Sequence, residues 1–401
     1  MSKIFSNRLK RIKPSLTVSV NIKANALKAE GRDVLVLAAG EPDFDTPKNI
    51  QEAAINAMKK GETRYVPGKG TKLLQEAIIN KFKIDNSLDY EKDEITVGVG
   101  GKHIIFNALM ATINEGDEVI IQAPYWVSYP DITLLADGKP KIVECLEENN
   151  FKITSKQLEE SISSKTKWFM LNSPSNPTGS TYSYEELKSL AKVLLKFPEV
   201  MVLTDDIYEK IIYEDEKFYT IAEVEPELMN RTLTLNGVSK AYCMTGWRLG
   251  YAGGPKEIIN AMNKIQSQST TSTSSISMAA AVEALNGKQD FIGEHNIEFK
   301  KRRDIVVKML NLAEGITCAT PSGAFYVYPS CQGCIGKKTP EGKELKSDED
   351  FMDFLLDSEG VAGVHGAAFG MSPFFRISYA TSISILQEAC NRIIRACAKL
   401  K

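Results

Sequence analysis

The chain has 401 residues, 43% hydrophobic and 25% charged, with 27 glycines and 16 prolines, the make-up of an ordinary globular protein with length for two domains rather than one. Its 49 basic and 51 acidic residues leave a net charge of −2. No overall field therefore draws it to nucleic acid or an anionic membrane, and a small neutral substrate or a locally charged site fits better.

The first stretch, MSKIFSNRLKRIKPSLTVSVNIKANALK, has no acid before Glu30 and shares that bias with organellar transit peptides, though it lacks the apolar core of a secretory signal. Thr46-Pro47 is expected to cap and open a helix with apolar Ile50, Ala53, Ala54, Ala57 and Met58 that stops at Gly61. Leu73–Phe82 repeats that period. Short β-branched runs follow at 95–97, 119–121, 141–143, 168–171, 200–203, 232–235 and 249–252, several separated by helical stretches such as 185–195. Strands alternating with helices predict an α/β fold with a mostly parallel, doubly wound sheet. From Met278 the pattern becomes a long charged helix to about Met309, then Ala324–Tyr328, a helix at 348–357, Phe374–Ser378 and a final helix. That is the signature of a smaller α+β unit, on which the first 40 residues are expected to pack. The predicted domains are 45–290, and 1–44 with 291–401.

Seven scattered cysteines argue against a disulfide framework and for a reducing, cytoplasmic setting. Cys331-Gln-Gly-Cys334 is a lone CxxC, and the three histidines (His103, His295, His365) stand at no ligand spacing, so no metal is expected. No apolar run approaches the roughly 18–20 residues of a membrane span.

In an open α/β sheet ligands lie beyond the carboxyl ends of the strands, so the polar residues after each apolar run are the candidates. Gly98-Val-Gly-Gly101-Lys102 enters a helix, where backbone N–H groups and the dipole can face a phosphate. Lys102 reads equally as a solvated first-turn charge. Trp126 offers a stacking platform for a flat ring or a core aromatic. The loop Asn172-Ser-Pro-Ser-Asn176-Pro-Thr-Gly179 is too rich in turn residues for a helix. Adjacent acids Asp205 and Asp206 would repel unless one faces solvent and the other a cation, with a surface helix cap as the plain alternative for Asp205. Last comes NGVSKAYCMTGWRLGY (236–251), with Lys240 and Arg248. A phosphate cradle, a ring platform, a carboxylate, amide and hydroxyl donors and a lysine nucleophile are together what pyridoxal 5′-phosphate demands.

In that order, KPSLTVSVN (13–21), AGEPDFDTP (39–47), YVPGKG (65–70), GGKHIIFN (100–107), PYWVSYP (124–130), NSPSNPTG (172–179), TDDIYE (204–209), SKAYCMTGWRLGY (239–251), SGAFYVYP (322–329) and FRISYA (375–380) make the chain resemble the fold-type I pyridoxal-phosphate aminotransferases of class I. The likeness is strongest to the bacterial aspartate/prephenate aminotransferase subgroup. The resemblance implies a large cofactor domain, a small domain from both chain ends, and a homodimer with shared active sites. It implies that Lys240 forms the internal aldimine, and that Arg248 binds the phosphate with backbone N–H groups at Gly101-Lys102. Asp205 would pair with the pyridine nitrogen, Asn176 and Tyr208 with the phenolic oxygen, Trp126 would stack on the ring, and Tyr65 would reach the phosphate of the other subunit.

For the substrate, it implies that Arg376 grips the α-carboxylate with help from the backbone of Gly40. Lys102, assisted by Lys13 and Thr17, would take the distal carboxylate, which argues against removal of the N-terminus. Two departures stand out. Where many relatives place a phosphate-binding serine three residues before the lysine, this chain has Gly237, and the segment 267–275 lacks the arginine some relatives use for the distal carboxylate. The expected activity is transfer of an amino group between aspartate or glutamate and 2-oxo acids, with prephenate as a second acceptor. The alternatives are an aromatic or other amino-acid-specific aminotransferase, a decarboxylase or a C–S lyase of the same fold. A fused DNA-binding regulator would need more than the 38 residues ahead of AGEPDF.

Overall fold

The computed structural model describes residues 4–14, 16–213 and 217–401, without the side chains of residues 16–18. The strands are β1 (Leu35–Val36), β2 (Ile95–Gly98), β3 (Glu118–Ala123), β4 (Lys139–Glu144), β5 (Thr166–Asn172), β6 (Met201–Asp205), β7 (Thr232–Gly237), β8 (Gly250–Gly253), β9 (Tyr326–Val327), β10 (Val361–Ala362), β11 (Val364–His365) and β12 (Phe375–Ser378).

Seven of them form one sheet in the order β2-β8-β7-β6-β5-β3-β4. β3 to β7 pair in parallel, whereas β8 runs antiparallel to both β2 and β7. Two reversals restore the direction, so β2 ends at the same edge of the sheet as β5, β6 and β7. Alternation sorts the strand side chains onto two buried faces. Ile121, Trp168, Met170 and Leu203 pack with Ile105, Leu109, Ile259 and Met262 from helices Gly101–Thr112 and Lys256–Ser267. Ile120, Phe169, Leu171 and Val202 pack with Leu187, Leu190 and Leu194 of helix Tyr184–Leu195 on the other face. The sheet is thus doubly wound, α/β and mostly parallel.

Outside it, β9, β12 and β11 make a three-stranded antiparallel sheet, and β1 pairs in parallel with β10, through Leu35 with Val361 and Val36 with Ala362. This pairing ties the residues before Ala38 to the last third of the chain.

Three local expectations are corrected. Thr46 does not cap helix Lys48–Lys59: its hydroxyl donates to Cys243 O at 2.6 Å and accepts from Trp247 Nε1 at 3.0 Å. The long helix from Met278 is two, Ser275–Asn286 and Asp290–Leu310. The break at Gly287 is held by Gln289, whose amide donates to the carbonyls of Ala284 and Leu285 and so satisfies the end of the first helix. Of Ala324–Tyr328 only Tyr326–Val327 is strand, because Ala324 takes a left-handed φ of 57° that no strand admits.

Candidate active site

A cavity of about 360 Å³ opens at the carboxyl edge of the large sheet, roofed by residues 39–41 and by Tyr326 and Arg376 from the three-stranded sheet. β5 and β6 end together, with Asn172 paired to Asp205 in register, and the Asn172 amide donates to Asp205 O at 2.8 Å. Its other end accepts from Asn176 N at 2.9 Å, which fixes the first turn of the following loop. The cavity is lined by Gly40, Gly101, Lys102, Trp126, Asn176 and Asp205, and by Tyr208, Lys240, Arg248 and Arg376.

Lys240 Nζ donates to Gly40 O at 2.5 Å. Burial first, then the Arg376 and Arg248 charges, pushes its pKa down to about 8, so a neutral, nucleophilic amine is within reach near neutral pH. Asp205 is buried, and burial raises its pKa to about 6 against the hydrogen bond from Tyr129 Oη at 2.7 Å, that from Ile207 N and the Lys240 charge. Asp206 is buried as well, at 1% exposure, so neither acid faces solvent, contrary to the expectation from their adjacency. Burial lifts Asp206 to about 8 despite its bond from the Thr204 hydroxyl, further than it lifts Asp205, so of the two Asp205 is the one that ionises first.

Arg376, 2% exposed, donates from Nη1 to Asn176 Oδ1 and from Nη2 to Ala38 O, each at 2.7 Å. Among the described residues its buried Nε has no partner, which leaves a donor for an incoming carboxylate. The guanidinium lies 4.5 Å from the Tyr326 ring centroid.

The phosphate end is built where β2 meets β8. Gly100 has φ 82°, and a Cβ there would collide with the Arg248 guanidinium. Arg248 donates to Thr245 O at 2.8 Å, and helix Gly101–Thr112 starts without a side-chain cap. An anion thus meets uncapped N–H groups and a guanidinium together. Gly237 is explained sterically: a Cβ would stand 2.9 Å from Ile207 Cδ1 and 3.1 Å from both Gly250 Cα and Leu249 O. Ser239, two residues on, lines the cavity. Uncapped N–H groups beside Arg248, an acid at the sheet edge and a lysine of lowered pKa fit pyridoxal phosphate in charge and placement.

Lys102 lies in the mouth, its Nζ 5.0 Å from the Trp126 ring centroid, with its pKa lowered by partial burial and by Arg248. Lys13 is exposed and outside the cavity lining. Its backbone N–H bonds to Asp131, whose own pKa burial raises. Thr17 has its side chain outside the described residues. Tyr65 is 92% exposed and lies by a separate groove with residues of helices Lys48–Lys59 and Ser275–Asn286. Tyr129, Tyr326, Asn21 and Glu41, to which the sequence motifs assign no role, also line the cavity. A signal for Tyr129 existed, since it lies three residues after Trp126, one helical turn on. Among the described residues no cluster of His, Cys, Asp or Glu can hold a metal, and no helix is long and apolar enough to cross a membrane.

The class follows from the fold and this cavity, and residues 32–393 match the family model for aminotransferase class I and II: the chain belongs to that family of pyridoxal-phosphate enzymes. It is 59% identical over 396 residues to a "Probable aspartate/prephenate aminotransferase" of Rhizobium leguminosarum bv. phaseoli, covering 99% of each chain. It is 55% identical to an "Aspartate/prephenate aminotransferase" of Cereibacter sphaeroides, over 98% of this chain and 99% of the relative. Among solved structures, the aspartate aminotransferase of Rhizobium meliloti superimposes with a TM-score of 0.98 at 51% identity, over 100% of both chains. That of Thermus thermophilus with maleate gives 0.92 at 39%, over 98% of this chain and 100% of the other.

Proposed function

We propose that this aminotransferase exchanges the amino group of aspartate or glutamate with 2-oxo acids, oxaloacetate and 2-oxoglutarate, and also aminates prephenate to arogenate. The observation that carries the reading is the placement of Lys240, Asp205, Arg248 and Arg376 around one cavity, with Lys102 as a second cation at its mouth. Two cationic positions suit a dicarboxylate. A lysine is a flexible point charge, which tolerates distal carboxylates of varied shape, a ring-borne one included. The relatives' names point the same way.

In this reading Arg376 takes the α-carboxylate through its free Nε and an adjacent N–H, backed by Gly40, and so fixes the Cα–H bond toward Lys240. Lys240, neutral once its proton is lost, removes the Cα proton as general base. Pyridoxal phosphate, when bound, supplies the electron sink for the carbanion formed at Cα. Asp205 holds the ring nitrogen protonated, Asn176 and Tyr208 bond the phenolic oxygen, Trp126 covers the ring, and Gly101, Lys102 and Arg248 hold the phosphate. Lys13 and Thr17 assist Lys102 at the distal carboxylate, and Tyr65 serves the site of a second copy in a homodimer. Residues 45–290 form the cofactor domain, and 1–44 with 291–401 the small one, in a cytoplasmic enzyme of amino-acid biosynthesis.

A coupled assay tests this, comparing aspartate with 2-oxoglutarate, glutamate with prephenate, and phenylalanine with 2-oxoglutarate. Turnover with the first two pairs is expected; turnover with the aromatic pair alone would replace the reading by an aromatic aminotransferase.

A further inference from the structure

Tyr326 touches three parts of the site at once. It is fully buried, its hydroxyl lies 2.8 Å from Tyr208 Oη, and its ring backs Arg376 at 4.5 Å from the guanidinium. The same hydroxyl stands 2.9 Å from where a Cβ on Gly40 would be, and Gly40 is the residue whose carbonyl accepts from Lys240 Nζ. β9 supplies Tyr326 and its neighbour β12 supplies Arg376, so one small sheet carries both.

We infer that Tyr326 is a positioning residue that couples the carboxylate clamp to the cofactor end of the site, its hydroxyl setting Tyr208 and its ring setting Arg376. The inference rests on the proposed place of Tyr208 at the cofactor's phenolic oxygen. A phenol that accepts a hydrogen bond becomes a stronger donor. Either hydroxyl can donate across the 2.8 Å pair; once Tyr208 gives its proton to the cofactor's phenolic oxygen, its own oxygen is left to accept from Tyr326, and it then stabilises a neighbouring phenolate more than it would alone.

The test is a pH titration of the holoenzyme's visible absorption, with steady-state kinetics alongside. Tyr326→Phe keeps the ring and loses the hydroxyl. Its absorption midpoint is expected to move up by a few tenths of a pH unit, because the phenolate loses support, while KM for aspartate stays near the parent's. Tyr326→Leu removes the ring as well and is expected to raise that KM roughly 2- to 30-fold, the span from a solvated to a desolvated cation–π contact. A Phe variant whose midpoint is unmoved or lowered overturns the coupling, and so does a Leu variant with the Phe variant's KM. A parent holoenzyme without a visible band that Lys240→Ala abolishes overturns the proposed function itself. With that band present and the midpoint unmoved, only the role of Tyr326 falls.

Discussion

Arg376→Lys keeps the charge of the clamp and removes its fork. In the parent, Nη1 and Nη2 are spoken for by Asn176 and Ala38 at 2.7 Å each, and the buried Nε is the donor without a partner. A carboxylate bound there gains Nε and a share of an adjacent N–H, in a planar geometry that an ammonium cannot reproduce. A lysine at this depth would serve either the two protein acceptors or the ligand. The expected loss is one charge-assisted hydrogen bond, about 1.5–3 kcal/mol, or roughly 10- to 150-fold in kcat/KM for aspartate. Single-turnover kinetics with aspartate measure it. An amine lacking the α-carboxylate is the control, because it never meets the fork and its slow reaction should stay near the parent's. A fall below about threefold for aspartate, or an equal fall for both compounds, would refute the assignment of Arg376 to the α-carboxylate.

Lys240→Ala is expected to abolish the covalent link to the cofactor, and with it the pH-dependent visible band, together with turnover; transamination at the parent rate would remove Lys240 from the chemistry. Lys102→Ala should raise KM for aspartate about two- to fivefold, the worth of a partly solvated ion pair, and leave phenylalanine unaffected; steady-state kinetics with both substrates decide. Gly237→Ser, which restores the serine of many relatives, should lower the melting temperature rather than tighten cofactor binding, because its Cβ meets Ile207 at 2.9 Å and the Gly250 backbone at 3.1 Å; a tighter cofactor at unchanged melting temperature would contradict that. For Asp206 the folded pKa of about 8 exceeds the ordinary 3.8. The folded state therefore holds a proton the unfolded state has lost, and its stability falls as pH rises through that window. Asp206→Asn removes the titration, so its melting temperature should gain on the parent's between pH 5 and 8, and parallel melting curves across that range would show Asp206 to be charged.

Much of the architecture was legible because it rests on local rules. β-branched runs at regular spacing marked the strands of the large sheet, and the polar residues following them fell at its carboxyl edge. Less legible was whatever depends on contacts across the chain. Thr46 looks like a helix cap in sequence, yet Trp247 and Cys243 claim its hydroxyl. Adjacency asks that one of Asp205 and Asp206 face solvent, and only the burial of both shows that the strain falls instead on a raised pKa, most of all at Asp206. Gly237 looked like a missing phosphate ligand. Its reason lies in β8, whose Gly250 faces it in the antiparallel pairing. Tyr326 stands in a run of buried aromatics, and nothing in FYVY distinguishes the one whose hydroxyl enters the site.

The buried charges share one logic. Lys240, Asp205 and Arg376 are each held from water, and in each case burial is the leading cause of a pKa displaced against the charged form. Such a set destabilises the fold on its own. Under the proposed function it becomes favourable when ligands bring the complementary groups: an anion for the guanidinium, a protonated ring nitrogen for Asp205 and a carbonyl carbon for the amine. The same residues that cost stability in the free chain thus supply binding energy, and ligand binding to the folded state alone raises its apparent stability. On this argument the holoenzyme melts above the cofactor-free chain. Lys240→Ala, which relieves one buried amine, should narrow that gap from both sides.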